Sequence, residues 1–165
     1  MNFNFESSSI KKMNFLLWQL GMFKIKMIGY ASPKVIAFNR DRVVIKIKLT
    51  RRTRNHLNSM YLGALAVGAD LAAGLPIAFI ARDQKINISL AFKNMTSKFL
   101  QRPTSDVYFV VKNNMQFVEM LKESQSTGER ITKQIVVEAY TNYDKFEQEE
   151  IANFELGLSV RCKTK

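Results

Sequence analysis

The stretch NHLNSMYLGALAVGADLAAG, residues 55–74, passes from polar, turn-forming residues into a long apolar segment. From residue 60 to residue 74 this segment carries five alanines, two glycines before Gly74 and a single charged residue, Asp70. Such a composition predicts a buried helix, and its small side chains let a strand or a second helix approach closely. We therefore expect the rest of the chain to be organised around this helix.

Asp70 lies on the face of the predicted helix that carries small side chains, together with Gly63, Ala66 and Val67. An unpaired carboxylate buried on that face would be costly, so it needs a partner, water or a ligand. Asp70 is accordingly a candidate general base or nucleophile toward an acyl group, and the structural alternative is an aspartate hydrogen-bonded to strand backbone. Three residues offer side-chain oxygens that could cap the helix N-terminus: Asn55, Asn58 and Ser59.

Length and composition favour one globular domain in a reducing cytoplasm. The chain has 165 residues, of which 47% are hydrophobic, and 25 basic against 14 acidic residues leave a formal net charge of +11. This excess favours an anionic partner: nucleic acid, an acidic membrane face or a phosphate-bearing cofactor. With Cys162 as the single cysteine and His56 as the single histidine, the chain has neither an internal disulfide nor a cysteine and histidine zinc site, and we expect no metal.

Two apolar stretches are similar to export or membrane signals. Residues 13–23 follow two lysines, but two further lysines interrupt the run and no convincing cleavage site follows. Residues 62–81 are long enough to span a bilayer, yet Asp70 near their middle makes insertion costly. We expect a buried helix without stable membrane insertion, and an amphipathic helix over residues 9–22 that packs on the domain as a lid.

Strands are predicted on both sides of the central helix, which we expect to continue to about Ala81 through a kink at residues 74–76, the alternative being a strand over residues 76–81. A second, shorter helix is predicted over residues 114–124, and a charged connection over residues 141–150. Alternating apolar residues predict the strands 34–38, 42–50, 85–92 with an extension over 95–100, 107–112, 131–140 and 151–162. We expect the second of these strands to face a core on one side only, with Val43, Ile45, Ile47 and Leu49 on the inner face. This order predicts an α+β fold in which an antiparallel sheet wraps a helix.

The central stretch resembles the hotdog-fold thioesterases, particularly the phenylacetyl-CoA type. In that family an asparagine is followed six residues later by His-Gly-Gly, and an aspartate lies on the same helix. Here Asn55 matches the asparagine, Tyr61-Leu62-Gly63 takes the His-Gly-Gly place, and Asp70 matches the catalytic carboxylate. Downstream, KFLQRP at residues 98–103 is similar to the "FLRP" strand, and Asp106 to the "GD" that follows it.

The resemblance covers residues 31–163. It implies a hotdog domain over residues 31–165, preceded by an N-terminal helical extension over residues 1–30. It also implies a homodimer, or a dimer of dimers, whose sheets join edge to edge. A coenzyme A thioester would enter between subunits, with no cofactor beyond the coenzyme A of the substrate.

The resemblance further implies roles for individual residues. Asp70 would activate water or attack the thioester, Gly63 would offer its backbone N–H to the oxyanion, and Asn55 would orient the nucleophilic side. Tyr61 and Leu62 would border the substrate, where Leu62 adds bulk that the family lacks. A basic group could pair with coenzyme A phosphates, the alternative being a solvated basic edge: Arg51, Arg52, Arg54 and Arg102.

Two other functions remain open from the sequence. One is a non-catalytic acyl-CoA or lipid binder on the same scaffold, since His-Gly-Gly is replaced. The other is a nucleic-acid binder that uses the positive charge and strand aromatics at Phe92, Tyr108 and Phe109, although most aromatics fall on faces expected to be buried. A Ser, His and Asp triad is disfavoured because Ser59, His56 and Asp70 are spread along one helix and its entry.

Overall fold

The structure is a computed structural model that describes residues 3, 5, 7–143 and 148–163. Its elements in chain order are α1 (Ser7–Gln19), a π-helical turn (Leu20–Lys24), α2 (Lys26–Ala31), β1 (Lys34–Phe38), β2 (Arg42–Ile47), α3 (Leu62–Asp83), β3 (Ile88–Phe99), β4 (Val107–Lys112), α4 (Met115–Thr127), β5 (Ile131–Thr141) and β6 (Glu149–Cys162). The strands form one antiparallel sheet in the order β1-β2-β4-β5-β6-β3. The predicted α+β fold is confirmed.

The central helix α3 packs on one face of the sheet and supplies much of the core. It runs for 22 residues, slightly beyond the expected end, and includes Pro76 rather than changing to a strand there. Within the described part of the chain it is the one helix long and apolar enough to cross a membrane, but 78% of its apolar window is buried inside the fold. Its hydrophobicity is therefore that of a core helix.

The predicted capping of α3 was wrong. The helix begins at Leu62, and its N-cap residue Tyr61 makes no side-chain capping bond. Instead, the side-chain oxygen of Asn55 accepts the N–H groups of Leu57 at 2.9 Å and Ser59 at 3.2 Å. These polar residues close a turn ahead of the helix, because an asparagine side chain bonds readily to backbone two residues on.

Gly68 sets the closeness of α3 to the sheet. A Cβ added at Gly68 would lie 2.2 Å from the ring of Phe109 on β4, a side chain that is completely buried. One added at Gly74 would lie 3.1 Å from the ring of Phe92, which is only half-buried on β3. The helix therefore depends on glycine at residue 68 more than at residue 74.

We expect Gly68→Ala to lower the free energy of unfolding by about 1–2 kcal/mol, because overpacking against Phe109 outweighs the better helix propensity of alanine. Gly74→Ala is the matched control and should be close to neutral, since the ring of Phe92 can move. Urea denaturation measures both. Adding Phe109→Leu to Gly68→Ala should recover part of the loss, and equal effects of the two alanine variants would contradict this packing.

The sheet has a major core under α3 and a smaller apolar cluster on its outer face. The expected inner residues Val43, Ile45 and Ile47 are completely buried. The expectation that β2 faces a core on one side only was wrong, because Val44 is also buried on the outer face, in a cluster with Tyr108 and Val110. An alternating pattern does not reveal this second cluster.

Two regions differ from the sequence prediction at their ends. The N-terminal helix stops at Gln19, and the π-helical turn and α2 that follow were not predicted. The connection between β5 and β6 is shorter than expected, and its residues 144–147 lie outside the described part of the chain. The predicted extension of β3 past an irregularity is confirmed, with a register shift between Phe92 and Met95.

Candidate functional site

Asp70 lies on a narrow strip of α3 that the fold leaves half-buried. The strip consists of Gly63, Ala66, Val67 and Asp70, and all the remaining residues of the helix between 63 and 77 are buried. This is the face predicted from helical spacing. We call these four residues the Asp70 strip.

The carboxylate of Asp70 has no hydrogen-bond donor or cation among the described residues. Burial raises its pKa above the ordinary value of 3.8, and no neighbouring charge opposes that effect. A desolvated, unpaired carboxylate is a stronger base than an exposed one and is frequently a functional group. Asp70 is therefore suited to accept a proton or to attack an electrophile.

The Asp70 strip borders an open surface that continues onto β3. Gly74, one turn beyond Asp70, packs against Phe92 and Leu90 of this strand. Toward the N-terminus of α3 the helix no longer covers the strand, so that Met95 and Phe99 are exposed although they pair with core residues of β6. We call this surface the α3–β3 face.

The N-terminus of α3 has free backbone donors. The carbonyl oxygen of Tyr61 accepts the N–H groups of Ala64 at 2.9 Å and Leu65 at 3.1 Å. Across the residues that the structure describes, the N–H groups of Leu62 and Gly63 have no acceptor. Free N–H groups at a helix N-terminus stabilise negative charge through hydrogen bonds and the helix dipole.

The side chains at this N-terminus lie close to the free donors. Tyr61 and Leu62 are both exposed. The ring of Tyr61 covers Gly63, since a Cβ added there would lie 2.5 Å from a ring carbon. Any ligand that reaches the two N–H groups would therefore contact Tyr61 and Leu62.

The four arginines expected to form one group divide into two pairs. Arg51 and Arg52 line a cavity of about 390 Å³ on the β1–β2 side of the molecule, together with Tyr30, Lys34, Lys46 and Lys48. Arg54 pairs with Met60 through a β-bridge, and Arg102 precedes Pro103, whose carbonyl accepts the N–H of Met60 at 2.9 Å. The second pair therefore flanks the segment that leads into α3.

The lysines of the basic cavity were not predicted as functional residues. The alternation of Lys46 on β2 and Lys48 just beyond it with apolar residues could have indicated a cationic outer face, but only the fold brings these two lysines beside Lys34 and the arginines. Lys46 donates to the hydroxyl of Tyr108 at 2.8 Å and pairs with Asp106 at 2.9 Å, and these contacts raise its pKa. It therefore remains charged.

Asp106, which matches the "GD" of the resembled family, ties the end of β2 to the start of β4. It accepts the N–H of Leu49 at 2.9 Å as well as the ammonium of Lys46. Burial acts to raise its pKa, but the hydrogen bonds from Lys46 and Leu49 and the positive charges of Lys46 and Lys48 together outweigh burial, and the pKa is lowered. Its contacts are those of a structural carboxylate.

The residues of the alternative hypotheses have other surroundings. The hydroxyl of Ser59 lies 3.2 Å from the side-chain oxygen of Asn55, which is already used within the turn, while His56 is exposed. Of the strand aromatics considered for nucleic-acid binding, Phe109 and Tyr108 are buried. They offer no exposed stacking surface.

Known structures share this architecture at low sequence identity. A "putative thioesterase" from Shewanella oneidensis superposes with a TM-score of 0.75 at 12% identity, covering 92% of this chain and 99% of that chain. A protein of unknown function from Chlorobaculum tepidum TLS gives 0.77 at 11% identity, covering 96% of this chain and 100% of that chain. A thioesterase from Haemophilus influenzae gives 0.64 at 13% identity, covering 100% and 95%. The chain has the hotdog fold of these proteins.

Sequence comparison identifies the family. The chain matches no curated protein sequence at a significant level. The family model described as Domain of unknown function (DUF4442) matches residues 16–151, which include most of the sheet and all of α3. The chain therefore belongs to the DUF4442 family.

Proposed function

We propose that this protein hydrolyses acyl thioesters, with acyl-CoA as the substrate class and Asp70 as general base or nucleophile. The observation that carries the proposal is an unpaired, half-buried carboxylate on the same helix as two free N–H groups. Thioesters need both features, because attack on the carbonyl requires a base and creates an oxyanion. The thioesterases among the structural neighbours support this choice at the level of the fold.

The chemistry follows from these groups. Asp70 takes a proton from water as the water oxygen bonds to the thioester carbonyl carbon, or its carboxylate bonds to that carbon directly. The N–H groups of Leu62 and Gly63 bind the oxygen that becomes negative. When the carbon–sulfur bond breaks, the leaving thiolate takes the proton that Asp70 removed from water. In the direct route the thiolate takes a proton from solvent instead, and a water molecule then adds to the acyl carbon, so that the carboxylic acid leaves and the carboxylate of Asp70 is restored. Coenzyme A of the substrate is the only cofactor moiety that this reaction needs.

Spacing along α3 favours a site shared between two subunits. Gly63 and Asp70 are seven residues apart, or about 10 Å along the helix axis, so one thioester group cannot contact both within a single chain. The outer edge of β3 is open, and pairing of two such edges would form a homodimer with the α3–β3 faces side by side. In this arrangement Gly63 of one chain would act with the partner subunit's Asp70.

The basic residues fit a nucleotide-bearing thiol carrier. Arg51 and Arg52 would bind coenzyme A phosphates in the basic cavity, through forked hydrogen bonds that suit phosphate geometry. Arg54 and Arg102 would guide the thioester toward Tyr61 and Leu62 at the helix N-terminus. A cytoplasmic location would give access to such substrates.

The test is release of free thiol from a panel of short, long and aryl acyl-CoA esters by the wild type and by Asp70→Ala. We expect hydrolysis of at least one ester by the wild type and loss of it in the variant. Calorimetric titration with a non-hydrolysable acyl-CoA analogue separates binding from turnover. The absence of both turnover and binding would reject the proposal.

A non-catalytic acyl-CoA or lipid binder is the second candidate. It is favoured by the ring of Tyr61 over Gly63 and by Leu62 in the resembled His-Gly-Gly position, which restrict access to the oxyanion donors. Tight binding of the analogue without hydrolysis of any ester would establish this function instead.

A further inference from the structure

The π-helical turn and α2 form a tight helical hairpin whose tip faces solvent. Their backbones touch at two glycines, since a Cβ added at Gly21 would lie 2.7 Å from the Cα of Gly29. The tip, MFKIKM at residues 22–27, consists of six exposed residues, four of them large and apolar and two of them lysines. We call these six residues the hairpin tip.

An exposed aromatic group continues the hairpin tip onto α1. The ring of Trp18 lies 5.7 Å from that of Phe15 and 5.8 Å from that of Phe23, measured between centroids. Phe23 is 69% exposed and Trp18 is 54% exposed. Contiguous exposed apolar surface of this kind is typical of a protein or membrane contact.

The segment of the chain that contains the hairpin tip carries basic residues but no acidic ones. Residues 7–40 contain five lysines and one arginine and no aspartate or glutamate. A groove of about 550 Å³ beside the tip, lined in part by Trp18 and Met22, shares Ser32 and Lys34 with the basic cavity. The apolar surface is therefore bordered mainly by cations, since the one carboxylate in the cavity beside Phe15, that of Asp83, lies there with Lys11, Lys12 and Arg82. This charge complements an anionic surface with an apolar interior.

The hairpin tip lies away from the proposed dimer edge. Helix α1 packs against β1. The side-chain amide of Asn14 donates to the carbonyl oxygen of Val35 and accepts the N–H of Val35, each at 2.9 Å. Strand β1 is one edge of the sheet and β3 is the other. A dimer formed through β3 would leave the hairpin tip free.

We infer that the hairpin tip docks this protein reversibly on an anionic lipid bilayer. The aromatic side chains Trp18 and Phe23 enter the headgroup region, where aromatic residues are favoured, and Lys24 and Lys26 contact lipid phosphates. The tip is far too short to span a bilayer, so the docking is peripheral. This inference does not depend on thioesterase activity.

Trp18 is the single tryptophan of the chain and provides a direct signal. We would titrate the full-length protein with vesicles of phosphatidylcholine alone and of phosphatidylcholine with phosphatidylglycerol, and record tryptophan emission and co-sedimentation. We expect a blue shift and sedimentation with the anionic vesicles, both weakened by added salt. No blue shift and no sedimentation with either vesicle would overturn the inference.

Charge-reversal variants locate the contact. Lys24→Glu should weaken partition onto anionic vesicles by about twenty- to thirtyfold, because each basic residue near such a surface contributes about 1 kcal/mol and the reversal counts roughly twice. Lys122→Glu on α4 carries the same change in charge on another exposed helix and should bind like the wild type. Equal weakening by both variants would show a non-specific charge effect and overturn the docking site.

Phe23→Ser tests the apolar part of the contact, and it distinguishes the bilayer from the alternative occupant of the tip, a second copy of this chain. We expect this variant to lose the blue shift at a salt concentration where the wild type keeps it. If Phe23→Ser instead lowers the molar mass in solution and vesicle binding of the wild type is absent, the tip is covered by a second copy of the chain. That result would replace the membrane as the occupant.

Discussion

Asp70→Asn should lower kcat for acyl-CoA hydrolysis at least a hundredfold and, at neutral pH, raise the melting temperature. Asparagine has nearly the same shape but cannot accept the proton or act as the nucleophile, and removal of a positioned base typically costs a factor of about 10² to 10⁴. Affinity for a non-hydrolysable analogue should be retained. Activity equal to that of the wild type would remove Asp70 from the mechanism.

The stability gain follows from the raised pKa of Asp70. Burial makes the ionised carboxylate less stable in the folded chain than in the unfolded chain, where the ordinary value of 3.8 applies. Below that value both states hold the proton and the residue has no net effect. As the pH rises past 3.8 toward the raised pKa of the folded state, the wild type loses stability that the asparagine variant keeps.

Thermal unfolding at two pH values measures this difference. At pH 7 we expect Asp70→Asn to melt about 2–4 °C higher, the shift that about 1 kcal/mol gives in a domain of this length. The difference should shrink as the pH approaches 3.8. Asp83→Asn, at the exposed end of the same helix, is the control and should change little; a lower melting temperature of Asp70→Asn at pH 7 would mean that the carboxylate has a favourable partner.

Ser97→Pro should convert the proposed dimer into folded monomers and remove at least 99% of the activity. The N–H of Leu100 bonds to the carbonyl of Ile151 on β6 at 2.9 Å. Because N–H directions alternate along an antiparallel strand, the backbone N–H of Lys98 also points to β6, while the backbone N–H of Ser97 points to the open edge. Proline is tolerated on edge strands when the missing N–H faces outward, so the chain should still fold.

Light scattering after size exclusion and circular dichroism together test this prediction. Ser97→Ala keeps the N–H and should remain dimeric and active. Lys98→Pro removes a bond to β6 and should destabilise the chain itself. A fully active monomer in Ser97→Pro would reject the shared site, and an intact dimer would place the subunit contact elsewhere.

The structure also shows where residue patterns are sufficient and where they are not. Apolar periodicity predicted α3, all six strands and α4, because burial of one face determines which residues are apolar. The helical face of Asp70 was predicted correctly for the same reason. The helix cap was not, because Asn55, Asn58 and Ser59 suit a turn as well as a cap, and only the closed turn before Leu62 distinguishes the two.

The sequence by itself therefore determined the order of the six strands, α3 and α4, the burial of α3 and the helical face that carries Asp70. The tertiary structure decided the rest. It separated Arg51 and Arg52 from Arg54 and Arg102, left β3 as an open edge, and formed the exposed hairpin tip, which the sequence did not predict. These features depend on contacts between residues far apart in the chain, whereas periodicity reports only which side of each element meets the core.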